Sequence, residues 1–254
     1  MKFGVCTDIQ NVSLVKKAGF DYLECTVVSL MPETEHEYEE IVRKYQESPL
    51  PIETCNILLP STLKIVGEAV DQRAIKQYVE KALPRVKQIG ADTVVFGSGG
   101  ARSAPENFPR SKAEQQIVSF LQLIADVAEP LGLTVVIEPL NKKESNMINS
   151  VPEAVEFASK VNRKSIQVLA DFYHMDEESE QLTNIVDASE WIKHIHVADT
   201  GRLAPGTGTY PYAAFADCLR EANYSRRVSI ECKWSDLESE LTTAMKHLQY
   251  YITG

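Results

Sequence analysis

The sequence predicts a (β/α)8 TIM barrel, an α/β fold in a single domain covering residues 1–254. Three observations predict it. Short apolar runs alternate with longer amphipathic ones along the whole chain, the pattern of a parallel sheet with helices outside. There are eight such units of about 32 residues each, which suits a closed barrel better than an open doubly wound sheet. No Pro-, Gly- or Ser-rich linker divides the chain, and no G-x-G-x-x-G follows the first strand, so a dinucleotide-binding domain is disfavoured.

The elements follow in order. Phe3–Cys6 is a short strand, and Val12–Ala18 a helix closed by Gly19. Tyr22–Cys25 is strand-like and Glu33–Gln46 a charged helix. Pro51–Leu58 is the third strand. Asp71–Ile89 is helical because Ile75, Tyr78, Val79, Ala82, Val86 and Ile89 fall on one face, with Gly90 next. Thr93–Phe96 is β-branched and aromatic, hence a strand. Ser111–Leu131 is a long amphipathic helix stopped by Gly132. Thr134–Ile137 is the fifth strand. Ser150-Val-Pro-Glu153 is a capping box opening a helix to about Asn162. Ile166–Ala170 is a strand, Ser179–Glu190 is read as mostly helical, and Ile192–Val197 is a strand. Tyr212–Ala222 is a helix, Val228–Cys232 the last strand, and Asp236–Tyr251 the last helix.

Composition narrows the function classes. With 44% apolar and 24% charged residues, the chain has the balance of a soluble globular protein. The net charge of −10 opposes binding to nucleic acid and to anionic membrane surfaces. The cysteines are Cys6, Cys25, Cys55, Cys218 and Cys232, an odd number without C-x-x-C spacing. They read as reduced, buried thiols of a cytoplasmic protein. Neither a signal peptide nor a membrane span is expected from the apolar runs.

In a barrel the chemistry sits at the C-terminal strand ends. The fifth strand ends on Glu138, the sixth on Asp171, the seventh on His196 and the eighth on Glu231, at separations of 33, 25 and 35 residues. One acidic residue after a strand is commonly a helix cap. Four strands in succession delivering a carboxylate or imidazole to one rim form a divalent-cation site. Carboxylates that close repel unless a cation neutralises them. The donor set suits Mn, Co, Zn or Fe, with Mg less favoured because of the histidine.

Above this rim lie Glu144, six residues past Glu138, His174, three past Asp171, and Arg202, six past His196. They fall on loops where a substrate would sit. His194 shares a face with His196 and reads as a buried, hydrogen-bonded residue lower in the barrel. His36 and His247 lie on helices and are expected in solvent. Lys142, Lys143 and Arg102 would suit a phosphate or carboxylate, although solvated surface lysines are the commoner case. The loop Ser98-Gly-Gly-Ala-Arg102 reads equally as an anion cradle or as a tight βα turn.

These residues carry a resemblance. Ile137-Glu-Pro-Leu-Asn141 with Glu144, Ala170-Asp-Phe-Tyr-His174, His194-Ile-His-Val-Ala-Asp-Thr-Gly-Arg202, Pro205-Gly-Thr-Gly208 and Ser229-Ile-Glu231 resemble the xylose isomerase-like TIM-barrel superfamily. The likeness is greatest to its D-tagatose and D-psicose 3-epimerase group, and it extends to Gly19-Phe-Asp-Tyr-Leu-Glu24 and Gly90-Ala-Asp-Thr-Val-Val-Phe-Gly97. The resemblance implies an epimerase or isomerase of a keto sugar that removes a proton next to a carbonyl through a metal-stabilised enediolate. It implies one divalent cation, Mn, Co or Zn with Mg possible, held by Glu138, Asp171, His196 and Glu231. Glu138 and Glu231 would also be the acid/base pair, and Glu144, His174 and Arg202 would hold substrate oxygens. The partner implied is a small sugar or sugar derivative, and homodimers and homotetramers are common in the group.

Three rivals share the scaffold. Inosose and dehydroshikimate dehydratases also begin by removing a proton next to a carbonyl. A sugar- or metal-binding barrel would bind without turnover. Endonuclease IV needs further histidines for its extra zinc ions; here the early strand ends offer Asn56 and Ser98-Gly-Gly, and Leu203-Ala204 follows Arg202.

Overall fold

The computed structural model describes residues 1–253. Eight parallel strands close in sequence order, β1 (Lys2–Cys6), β2 (Tyr22–Thr26), β3 (Ile52–Asn56), β4 (Thr93–Phe96), β5 (Thr134–Ile137), β6 (Ile166–Asp171), β7 (Ile192–Val197) and β8 (Arg227–Ile230), with β8 paired to β1. The helices are α1 (Val12–Lys17), α2 (Glu35–Gln46), α3 (Gln72–Gln88), α4 (Gly99–Arg102), α5 (Arg110–Leu131), α6 (Val151–Val161), α7 (Phe172–Glu177), α8 (Asn184–Asp187), α9 (Tyr212–Glu221) and α10 (Leu237–Leu248). Their starts are chemically marked. Thr34 and Glu37 form a capping box on α2, the Asp71 carboxylate accepts from two backbone N–H groups of α3, and Ser150 caps α6, each cap being worth about 1 kcal/mol. Gly132 ends α5 at φ +66°, a left-handed conformation that costs glycine nothing.

One expectation needs correction. Ser179–Glu190 is not mostly helical, because helix starts earlier. The Asp171 carboxylate caps α7 at once, at Phe172, and the chain breaks at Ser179 (φ +52°) before the short α8. Of the two readings of the loop after β4, the structure has the tight turn. Ser98 turns at φ +43° and starts α4, which carries Arg102 inward.

Leu23, Cys25, Val94, Phe96, Ile137 and Ile195 face the helices in the main core, while Val95, Val136 and Leu169 form a separate apolar cluster. Strand periodicity puts this second cluster inside the barrel, on β4, β5 and β6. The other side of the interior is polar: Tyr22, Thr54, His194 and Ser229 are buried and joined by hydrogen bonds to one another or to the buried Glu24 above them. Gly4 makes room for it, since a Cβ there would lie 2.3 Å from the Tyr22 ring. Two residues further along each strand, the same inward face reaches the rim. It carries Cys6, Glu24, Asn56, Gly97, Glu138, Asp171, His196 and Glu231 in strand order.

Candidate metal centre and active site

Glu138, Asp171, His196 and Glu231 meet at the C-terminal mouth, with one ligand atom of each within 4.8 Å of the others. His196 Nδ1 lies 3.2 Å from Glu138 Oε1 and 3.5 Å from Glu231 Oε2. Asp171 uses Oδ1 to accept from the N–H of Tyr173 at 2.8 Å and of His174 at 3.4 Å. Its Oδ2 is buried without a partner. Oδ1 thus serves as the helix cap, and Oδ2 is left free of it.

The electrostatics suit a cation. Burial pushes the Asp171 carboxyl up to about 6, against the opposing charge of His196. Burial, with Glu231 beside it, also raises Glu138. Burial acts on Glu231 in the same direction, but His196 and Arg202 outweigh it and hold that carboxyl well below the usual range. An orphaned buried carboxylate oxygen beside two further carboxylates and an imidazole nitrogen is a donor set that fits one divalent cation.

The three loop residues converge above. Arg202 donates from Nη2 to Glu231 Oε2 at 2.6 Å and from Nη1 to Glu144 Oε1 at 3.0 Å. Asp199 builds the loop that presents it, accepting from the backbone N–H groups of Thr200, Gly206 and Tyr210. Gly201 (φ +71°) and Arg202 (φ +63°) make the turn. His174 is buried, and its Nδ1 lies 3.1 Å from the backbone N–H of Asn141. A backbone amide can only donate, so the neutral ring carries its proton on Nε2. That nitrogen has no partner and faces Asp171 Oδ2 at 3.7 Å. A cavity of about 510 Å³ opens over the site, with Glu138, Glu144, Arg202 and Glu231 on one side and Leu59 and Leu140 among its apolar walls, a volume typical of small-molecule sites.

Other expected positions fall elsewhere. Arg102 is fully buried and donates to the carbonyls of Phe96, Met147 and Ile148 at 3.1, 3.2 and 3.1 Å. It organises backbone and is not offered to an anion. Lys142 and Lys143 pair with Glu178 and Glu177. His194 is buried and hydrogen-bonded, as its strand position suggests. His36 is exposed, but His247 is half-buried, edge-on to Tyr212 at 4.6 Å. All five cysteines are free; Cys25 and Cys55 are buried, while Cys6, Cys218 and Cys232 are only partly so. The residue missed is Glu24, fully buried and bonded to both barrel histidines. Asn56 also enters the site, donating to Glu231 Oε1 at 2.7 Å. A carboxylate inside the apolar run Tyr22-Leu-Glu-Cys25, on the inward parity, is the signal that could have found Glu24.

Residues 12–251 match the model of the xylose isomerase-like TIM barrel family. The chain belongs to this family. It is 28% identical over 232 residues to a 3-dehydro-D-guloside 4-epimerase of Escherichia coli, covering 88% of this chain and 86% of the relative. It is 28% identical over 228 residues to a D-psicose 3-epimerase of Agrobacterium fabrum, covering 87% and 77%. The fold superposes on a crystal structure of D-psicose 3-epimerase with a TM-score of 0.87 at 21% identity, over the full length of both chains. These relatives of the xylose isomerase-like family are sugar epimerases, enzymes of the isomerase class. No helix among the described residues is long and apolar enough to cross a membrane.

Proposed function

We propose that the chain is a divalent-metal-dependent epimerase or isomerase of a keto sugar. The observation that carries this reading is the cluster of Glu138, Asp171, His196 and Glu231 under the 510 Å³ cavity. These four residues would hold Mn, Co or Zn, with Mg possible. When bound, the cation supplies Lewis-acid stabilisation of negative charge developing on the substrate oxygens.

The names of the two relatives agree on the reacting position. A 3-dehydro sugar epimerised at carbon 4 and a 2-ketose epimerised at carbon 3 both react at the carbon next to a ketone. Glu138 and Glu231 reach the site from different strands, β5 and β8. One takes the proton from that carbon and the other returns it to the opposite face, which inverts the centre. Arg202 and the Nε2 proton of His174 donate to substrate oxygens, and Glu144 accepts from a hydroxyl. Among the described residues lining the cavity, Arg202 is the only lysine or arginine. It is already shared between two carboxylates, which favours an uncharged sugar over a sugar phosphate.

The test is incubation of the Mn-loaded protein with ketoses, keto-glycosides and their phosphates in deuterium oxide, followed by NMR. Deuterium entering the carbon beside the carbonyl of an unphosphorylated sugar is expected. Loss of water from the substrate would mark a dehydratase, and binding without exchange a binding module; either overturns the reading.

A further inference from the structure

The polar half of the barrel interior ends directly beneath the proposed cation site. Glu24 Oε1 lies 2.9 Å from His196 Nε2. Its Oε2 lies 2.8 Å from His194 Nε2 and accepts from the hydroxyls of Thr54 at 2.7 Å and Ser229 at 2.6 Å. The Tyr22 hydroxyl is 2.7 Å from Ser229 Oγ and extends the network downward. Every residue of this network is buried. The opposite nitrogen of His196, Nδ1, points at Glu138 and Glu231.

We infer that Glu24 is a positioning residue: it fixes the His196 ring with its proton on Nε2, so that the Nδ1 lone pair is offered to the cation. This rests on the cation site proposed above. An imidazole can present a lone pair to a metal at only one nitrogen while the other keeps its proton. The neighbour of that other nitrogen selects the tautomer, holds the ring plane and raises the basicity of the ligating nitrogen. Here the neighbour is a carboxylate with no free direction left. Three donors converge on Oε2, so Oε1 is the oxygen left for the ring. Cys6 Sγ, 4.0 Å from His196 Nε2, completes a Cys6–Glu24–His196 group that also has metal-like spacing. The hydrogen bonds already filling Glu24 assign that group to proton sharing rather than to a second ion.

Two measurements test this. The first is calorimetric titration of Co2+ into wild type, Glu24→Gln and Glu24→Asp, with the visible Co2+ spectrum recorded. Glu24→Gln is expected to lose 10- to 100-fold in affinity with an altered spectrum and a circular-dichroism melt that stays cooperative. Glu24→Asp, which restores the charge, is expected to recover part of that loss. A folded Glu24→Gln that binds Co2+ as wild type does overturns the inference and leaves the epimerase reading standing. Wild type that binds no Co2+ overturns both. The second measurement needs only wild type and so does not depend on the variants folding. In Zn2+-loaded protein, long-range 1H–15N NMR should place the His196 ring proton on Nε2, slow to exchange. A proton on Nδ1, or a rapidly exchanging one, overturns the inference.

Discussion

Gly97→Ala separates catalytic geometry from stability. Gly97 follows β4 and faces the mouth. A Cβ there would lie 2.1 Å from Glu138 Oε2, 3.2 Å from its Cδ and 3.7 Å from Leu140 Cδ2. Carbon contacts settle near ~3.5–4 Å, so the carboxylate must swing by about 1 Å or more. Gly97 is not at positive φ, so alanine brings no backbone strain. The clashing atom is the end of a flexible side chain, so relief comes by rotating Glu138 and not by opening the barrel. The expected cost to folding is about 1 kcal/mol, a fall in Tm of roughly 2–4 °C in a chain of this size. The expected cost to function is larger, because a misplacement of ~1 Å of a reacting group lowers rates by about 100-fold. The assay is deuterium exchange by NMR at saturating Mn2+, beside a circular-dichroism melt. Exchange within threefold of wild type would show that Glu138 is not held where the structure puts it. A collapse of the fold would show that the contact is not with a movable carboxylate.

Three further outcomes follow from the same structure. Arg202→Met removes the guanidinium that joins Glu144 to Glu231; charge-assisted hydrogen bonds are worth about 1.5–3 kcal/mol each, so kcat/KM should fall at least ~100-fold, and steady-state kinetics showing a smaller loss, or full rescue by lysine, contradict a bidentate role. Burial raises Asp171 to about 6 in the metal-free protein, so the metal-free fold loses stability as pH rises from its unfolded value near ~4 through 6, by up to ~3 kcal/mol from this group; a cation takes the ionised form, so the gain in Tm on adding Mn2+ should grow from pH 5 to pH 7, and a gain that shrinks would be the wrong sign. Arg102→Met leaves the carbonyls of Phe96, Met147 and Ile148 without their donor; at about 1–3 kcal/mol for each unsatisfied group, a loss of roughly 3–5 kcal/mol and ~10 °C in Tm is expected by thermal melt, and a neutral result would mean that water replaces the guanidinium.

The barrel was legible in the sequence because its period is redundant. Each of β1 to β8 is a short apolar run beside a helix, and an error such as Ser179–Glu190 displaces one helix without changing the strand count. Glu138, Asp171, His196 and Glu231 were legible because they recur at one structural position, the end of a strand. The interior was harder to read. Glu24 and Thr54 sit within strands whose outward residues, Leu23, Cys25 and Cys55, belong to the core, so the apolar partners hide the polar face. Arg102 misled for the opposite reason: in the short loop sequence Gly99-Gly-Ala-Arg102 it reads as a surface cation, and only the positive φ of Ser98 and the turn into α4 send it inward.

The polar half of the barrel also bears on why a cation, and not an anionic group of the substrate, belongs at the mouth. Glu24, Glu138, Asp171 and Glu231 bring four buried or nearly buried carboxylates to one level of the interior. Glu24 is fully satisfied by His194, His196, Thr54 and Ser229. The other three have Arg202, the far side of His196, Asn56 and the two amides on Asp171 between them, and one oxygen of Asp171 still has no partner. A phosphate or carboxylate brought to this point would add charge of the same sign to the group that already lacks compensation. A divalent cation would remove the deficit; the Nδ1 of His196 faces Glu138 and Glu231, and Glu24 occupies the other side of the ring. On the proposed reading, the buried Glu24 carboxylate and the presence of Arg202 as the single lysine or arginine among the described cavity-lining residues have one cause: the mouth would concentrate positive charge at a single point and present it to a neutral sugar.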